Sequence, residues 1–191
     1  RVSARNVTGT SMTPPFAAHL GLDRGTETFA AENAGGGYVR QEDRVSLLTR
    51  NGSATELERI LAHEFVHAIQ DQAGLLERAA DTESFAVERA IVEGAAMYVE
   101  NAYAREFLGF SSLDRACAEY ANGTPHSRYV HGPYCYGGQY FAAQLDSPSE
   151  VANSDLRLPN TTEQVLHPEA TDSPGNLTVA TDWEATTERE R

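Results

Sequence analysis

Two histidines four residues apart constrain this chain more than any other feature of its sequence. His63, Glu64 and His67 belong to the pentapeptide His-Glu-Phe-Val-His. Residues four apart lie on one face of an α-helix, so both imidazole rings can bind the same metal ion. Zinc lowers the pKa of bound water to about 7, and a neighbouring carboxylate can then take its proton. The sequence therefore predicts a helical zinc site with Glu64 as its general base.

The residues around this motif predict a long and largely buried helix. Ser53-Ala54-Thr55-Glu56 has the capping-box pattern that marks a helix start, and Gly74 is the expected C-cap. Between them, apolar residues recur at helical spacing: Leu57, Ile60, Leu61, Phe65 and Ile69. Two histidines and a glutamate in such a helix would be costly without a partner. This favours a metal site over an ordinary polar helix face.

A second helix, predicted from about Glu83 to Glu100, supplies the third ligand. Catalytic zinc usually has three protein ligands and one open position. Glu93 lies among the apolar residues of this helix, and the small residues after it allow another backbone to approach closely. We predict Glu93 as the third ligand, with Glu100 as the alternative. Glu83, Glu88 and Glu100 have more polar neighbours and are expected to be solvated.

A stretch rich in tyrosine and glycine, from His131 to Phe141, is the second candidate for chemistry. It is expected to lead into a helix that ends near Leu145. Hydrolysis through a tetrahedral intermediate needs a hydrogen-bond donor for the oxyanion. The candidates for this role are His131, Tyr134 and Tyr136. Aromatic core packing beside the glycines is the alternative for each of them.

Two segments of the chain resemble the gluzincin metalloproteases. Residues 63–71 are similar to the active-site helix of thermolysin-like enzymes, including an aspartate four residues past the second histidine. Residues 93–96 are similar to the Glu-Gly-x-Ala run of zinc aminopeptidases. The chain also resembles secreted haloarchaeal and bacterial proteins that combine an H-E-x-x-H-A-x-Q-D-Q helix with a later Val-Glu-Gly segment. The resemblance covers about a quarter of the chain, roughly residues 55–104.

The resemblance implies a ligand set and a reaction. Zn²⁺ would be bound by His63, His67 and Glu93, and Glu64 would be the base for hydrolysis of a peptide or protein substrate. Thermolysin-like enzymes carry an aspartate four residues after the third ligand, which orients a zinc ligand. Met97 occupies that position here. The carboxylate that orients a ligand must therefore come from elsewhere in this chain.

The expected fold is α+β, a helix-rich minimal zincin-like domain with a small antiparallel sheet near the N-terminus. Residues 38–40 and 45–49 predict a β-hairpin before the zinc helix, preceded by Gly35-Gly36-Gly37 as a flexible turn. The resemblance implies that one of these strands lines the cleft, where an edge strand can bind an extended peptide. A solvent-facing hairpin is the alternative. Residues 1–169 are predicted to form one domain, and residues 170–191 an acidic, threonine-rich tail or linker.

The net charge and composition of the chain limit the classes of partner that it can bind. The net charge is −13, and all 15 basic residues are arginine. We therefore expect no nucleic-acid partner, because phosphate binding needs basic patches. An acidic surface without lysine is typical of salt-loving organisms and favours a halophilic archaeon. A mesophilic acidic protein from a GC-rich genome is the alternative.

The expected location is extracellular or anchored at the cell surface. No stretch is long and apolar enough to span a membrane. The chain has no initiator methionine and no signal-like start, which predicts a processed or truncated piece. Cys117 and Cys135 are the two cysteines, and they leave open a disulfide or two unrelated buried thiols. The sequence does not indicate an oligomeric state.

Two functions remain open for this chain. The first is zinc-dependent hydrolysis of peptide bonds. The second is a catalytically silent zincin-like binding module of a cell-surface protein. The presence of Glu64 favours the enzyme, because a purely structural zinc site does not need this carboxylate and closes its fourth coordination position.

Overall fold

The computed structural model describes residues 34–82 and 84–170, which form a β-hairpin followed by a set of packed helices. The strands are β1 (Gly35–Val39) and β2 (Arg44–Leu48). The α-helices are α1 (Ala54–Gln72), α2 (Leu75–Ala80), α3 (Phe85–Tyr103), α4 (Ser112–Asn122), α5 (Pro125–Gln144) and α6 (Thr162–Leu166). Short 3-10 turns at Arg40–Glu42 and Pro148–Ala152 and a π-helical turn at Ala104–Leu108 complete it. The predicted α+β class, helix-rich with a small antiparallel sheet, is confirmed.

The predicted hairpin is confirmed, although its glycines have another role than expected. β1 and β2 pair antiparallel, with Gly35 opposite Leu48. The three glycines predicted as a turn form the first half of β1. A Cβ atom on Gly36 would lie 2.6 Å from Cγ2 of Ile60 and 2.7 Å from Cγ of Glu64. Glycine at this position therefore lets the strand lie directly against α1.

Helix α1 has the start and the end that its sequence predicts. The backbone N–H of Glu56 donates to Oγ of Ser53 at 3.1 Å. Such a cap typically contributes about 1 kcal/mol. Gly74 adopts the left-handed conformation, with φ of 69°, just after the last helical turn.

The predicted buried stripe of α1 is partly wrong. Ile60 is buried, but Phe65 is 52% exposed and Ile69 is 45% exposed. The buried face instead carries polar residues together with apolar ones: Ile60, His63, Glu64, Val66 and Gln70. This face contacts α3 and the hairpin. The histidines of α1 therefore point toward the interior, whereas Phe65 and Ile69 are exposed to solvent.

Helices α3 and α5 form the centre of the fold, and they cross at two glycines. A Cβ atom on Gly94 would lie 2.4 Å from Cα of Gly137, and one on Gly137 would lie 2.2 Å from the carbonyl oxygen of Ala90. This confirms the predicted close approach of another backbone beside Glu93. The main core packs around the crossing and includes Val66, Leu75, Val87, Ile91, Ala95 and Phe141. Each large side chain buried there contributes roughly 1.5–3 kcal/mol.

Helix α5 begins earlier than the sequence predicts. The segment from His131, expected to lead into a helix, already lies within α5, which contains Pro133. The proline ring removes one backbone donor, but the helix continues through it. A disulfide joins Cys117 of α4 to Cys135 of α5, so the first of the two cysteine alternatives holds in the structure.

Among the described helices, none combines the length and the apolar character that a bilayer-spanning segment needs. The predicted tail, residues 170–191, lies outside the described residues except for its first position.

Candidate metal centre

The structure brings the three predicted ligands together at the contact between α1 and α3. The donor atoms of His63, His67 and Glu93 all lie within 4.8 Å of one another. Oε2 of Glu93 is 3.3 Å from Nε2 of His63 and 3.7 Å from Nε2 of His67. The two rings are nearly perpendicular, with centroids 4.9 Å apart. One metal ion can therefore contact two imidazole nitrogens and one carboxylate oxygen.

Glu100 holds the other nitrogen of His63. Its Oε2 accepts a hydrogen bond from Nδ1 of His63 at 2.8 Å, and its Oε1 accepts one from Nη1 of Arg59 at 2.8 Å. The expectation that Glu100 is solvated is wrong, because the residue is fully buried. A proton on Nδ1 leaves the lone pair of Nε2 directed at the donor cluster. Glu100 thus supplies the orienting carboxylate that Met97 cannot, and it lies on the side of His63 away from the three donors.

Gln70 fixes His67 in a similar way. Its Nε2 donates to the carbonyl oxygen of Val92 at 2.8 Å, which places its Oε1 2.8 Å from Nδ1 of His67. An amide oxygen can only accept, so Nδ1 of His67 carries the proton and Nε2 is free to bind a metal. Gln70 is fully buried and also ties α1 to α3.

Glu64 lies beside the cluster and is not one of its three donors. Its carboxylate is buried and accepts a hydrogen bond from the backbone N–H of Tyr38 in β1. Burial raises the pKa of Glu64 to about 7, although the charge of His63 opposes this shift. The Tyr38 hydroxyl donates to Oδ2 of Asp71 at 2.9 Å and so fastens β1 to the end of α1.

The charges of the cluster are strongly coupled. Burial lowers the pKa of His63, but the hydrogen bonds and charges of Glu100 and Glu93 outweigh it and raise that pKa to about 9. Burial and the neighbouring His63 lower the pKa of His67. Burial raises the pKa of Glu93, but the two histidines lower it overall. In the metal-free protein, one proton on His63 therefore partly balances the carboxylates that surround it.

A cleft of about 950 Å³ opens above the cluster. Its walls come from β1, α1, α3, α4 and α5. Residues 35–38 of β1 line it, so the structure places this strand at the cleft, as one of the two alternatives predicts. The cleft therefore leaves open space beside the three donors.

The three candidates for oxyanion stabilisation lie in different places. Tyr134 faces the cluster: its ring centroid is 5.8 Å from that of His63, and its hydroxyl donates to the carboxylate of Glu93. His131 is on the cleft wall, with its Nδ1 3.5 Å from Glu119 and its ring centroid 6.4 Å from that of Tyr134. Tyr136 packs on Tyr120 with ring centroids 5.0 Å apart and does not line the cleft.

Sequence reasoning missed Arg59, Gln70 and the orienting role of Glu100. Each follows a helical spacing from a predicted ligand. Arg59 is four residues before His63, Gln70 is three after His67, and Glu100 is seven after Glu93. The spacing places these residues on the right face, but it does not identify their partners on the other helix.

Comparison with known proteins adds no assignment. No family model, curated protein or solved structure matches this chain.

Proposed function

We propose that this chain is a zinc metallopeptidase of the gluzincin kind, in which Glu64 is the general base. One observation carries the proposal. Three donor atoms converge at the floor of an open cleft, and a further group, the buried carboxylate of Glu64, lies beside them without being a donor. Structural zinc sites close all four coordination positions with protein ligands, whereas catalytic sites leave one open.

The donor set supports zinc. Two histidines and one glutamate are a ligand set of catalytic zinc sites. Zinc binds these donors at about 2.0–2.2 Å, so donors of a tetrahedral site lie roughly 3.4 Å apart. The separations from Oε2 of Glu93 to Nε2 of His63 and His67, 3.3 Å and 3.7 Å, fit this value. Glu100 and Gln70 support the same assignment, since each directs a metal-binding nitrogen at the cluster.

In this proposal, the residues of the cleft have different roles in peptide hydrolysis. Bound zinc supplies a Lewis acid that acidifies water and polarises a carbonyl group. Glu64 takes the proton of the attacking water and later gives it to the leaving amine. Tyr134 is the candidate donor to the carbonyl oxygen, because its hydroxyl lies at the carboxylate of Glu93. His131, on the cleft wall, is the second candidate.

The substrate in this proposal is a peptide or protein. Residues 35–38 of β1 border the cleft, and strand backbone can hydrogen-bond an extended peptide. We also propose an extracellular or cell-surface location. The Cys117–Cys135 disulfide supports it, because disulfides persist in oxidising compartments.

The test is digestion of a broad peptide library at the salt optimum, with zinc content measured on the same samples. Glu64→Gln keeps size and polarity but cannot accept a proton. It should lose at least ~10²–10⁴-fold in rate, the usual contribution of general acid–base catalysis, with zinc unchanged. The matched control is Glu58→Gln, an exposed glutamate on the same helix. If zinc-loaded wild type cleaves no peptide of the library, the alternative function, a catalytically silent binding module, is favoured over the enzyme. If Glu64→Gln cleaves as fast as wild type, Glu64 is not the base.

A further inference from the structure

A second cavity lies between α3, α5 and α6, along a face of α5 that does not border the metal cleft. We call it the apolar pocket; its volume is about 190 Å³. Six large hydrophobic residues of the described chain are exposed, and three of them line this pocket: Phe85 (62%), Tyr129 (39%) and Leu166 (48%). Single exposed hydrophobic residues are normal, but a clustered patch marks a binding surface.

The size and lining of the apolar pocket suit one aromatic side chain. An apolar cavity of about 150 Å³ binds benzene, so about 190 Å³ accepts a slightly larger ring. Gly132 has no side chain to fill the space. Arg89 also lines the pocket, and its guanidinium carbon lies 6.0 Å from the ring centroid of Phe85. An aromatic ring entering here would meet apolar walls and a cation that favours ring faces.

We propose that the C-terminal segment of the same chain occupies the apolar pocket, with Trp183 as its anchor. Helix α6 forms one wall of the pocket, and the described chain leaves this helix and ends at Ala170. Trp183 follows 13 residues later and is the one tryptophan of the chain. Thirteen residues can span up to about 45 Å, so the segment can fold back onto the helix that precedes it.

Charge supports the same occupant. Asp182 and Glu184 flank Trp183 in the sequence. A docked indole would bring these carboxylates to the pocket that Arg89 lines. Leu177 and Val179 are further apolar residues of the same segment and can cover the exposed rim.

The N-terminal residues are a poorer candidate for this pocket. Residues 1–33 join the described chain at Ala34, which packs against the cluster of Val45, Leu47 and Ile60 between the hairpin and α1. That cluster shares no residue with the apolar pocket. The C-terminal segment is the part of the chain that continues from a pocket wall.

Docking at this pocket would also brace the metal cleft. The guanidinium of Arg89 lies 6.0 Å from the ring centroid of Tyr134, whose hydroxyl donates to Glu93. A segment that holds Arg89 therefore restrains a residue of the cleft. The docking itself does not require the chain to be an enzyme, so it can fail or hold independently of the proposed function.

The fluorescence of Trp183 tests the proposal in the full chain. The docked indole should emit at shorter wavelength, and be quenched less by acrylamide, than N-acetyltryptophanamide. Ala86→Phe fills the pocket from α3 and should shift both values to those of the free compound. Ala142→Phe adds the same ring at an exposed position of α5 outside the pocket and should change neither. Phe85→Ala, which removes a rim side chain without adding volume, should increase quenching.

Three results would overturn the proposal. The first is wild-type emission and quenching equal to those of N-acetyltryptophanamide. The second is a shielded tryptophan that stays shielded in both Ala86→Phe and Phe85→Ala, which would place it elsewhere. The third is shielding that disappears on dilution together with a fall in mass by light scattering, which would assign the pocket to a second copy of the chain.

Discussion

The replacement Glu100→Gln isolates the orienting contact of the metal centre. An amide has nearly the same volume as the carboxylate, so it changes charge and hydrogen bonding without creating a cavity. Glu100 accepts hydrogen bonds of 2.8 Å from both His63 and Arg59 and is fully buried. Loss of such a partner of a metal-bound histidine typically costs 10–100-fold in metal affinity. We therefore expect the Kd for zinc to rise about 10–100-fold, which corresponds to about 1.4–2.8 kcal/mol.

The same change also weakens the fold, and the two effects must be measured apart. Removal of one member of a buried ion pair costs about 3–5 kcal/mol. In Glu100→Gln, however, Arg59 keeps a second ion pair, with Oε1 of Glu56 at 3.2 Å. The loss of stability should therefore be smaller, about 1–3 kcal/mol. Chelator competition measures the Kd for zinc, and urea unfolding in EDTA measures the stability of the metal-free chain. Glu106→Gln, an exposed glutamate beyond the end of α3, is the matched control.

The outcome separates an orienting residue from a ligand. A Kd for zinc within twofold of wild type in Glu100→Gln would refute the orienting role. Glu93→Ala should lose most of the zinc, since it removes one of the three donors. Retention of zinc in Glu93→Ala together with its complete loss in Glu100→Ala would make Glu100 the third ligand.

Two further predictions concern pH and salt. In the metal-free protein the pKa of His63 is raised from 6.5 to about 9, so its charged form stabilises the fold fully below pH 6.5, and that contribution disappears as the pH rises through 9. The free energy of unfolding, measured with urea in EDTA, should fall on the order of 3 kcal/mol between pH 6.5 and pH 9. Equal values at these two pH values would contradict the raised pKa of His63. The 28 acidic residues face 15 basic ones, so molar salt, which shortens the Debye length to about 3 Å, should raise the Tm. A Tm unchanged by salt would remove the support for a halophilic origin.

Local signals in the sequence were sufficient to predict α1, the helix that carries His63, Glu64 and His67. Ser53 caps α1 where the capping box predicts, because this interaction spans four residues. The spacing of His63 and His67 places both rings on one face for the same local reason. Gly94 beside Glu93 correctly predicts a close helix crossing. Glycine inside a helix costs stability, so its presence there indicates that another backbone packs closely against it.

Contacts between distant segments explain what the sequence could not predict. Glu100 is buried because Arg59, 41 residues earlier, neutralises it, and periodicity cannot identify that partner. Phe65 and Ile69 fit an apolar stripe, but α1 turns its polar face inward to meet α3. The glycines before Tyr38 look like a flexible turn in isolation. They form a strand because Gly36 must lie against Ile60 and Glu64.

We expect one zinc ion to bind His63, His67 and Glu93 and to keep an open coordination position. Anomalous diffraction at the zinc edge, from crystals of protein purified without chelator, locates such an ion and identifies its ligands. One anomalous peak per chain is expected, at about 2.0–2.2 Å from Nε2 of each histidine and from a carboxylate oxygen of Glu93, with no fourth protein ligand. The absence of a peak at this cluster would rule out the proposed zinc site. A fourth protein ligand on the ion, such as Glu64, would rule out the open coordination position.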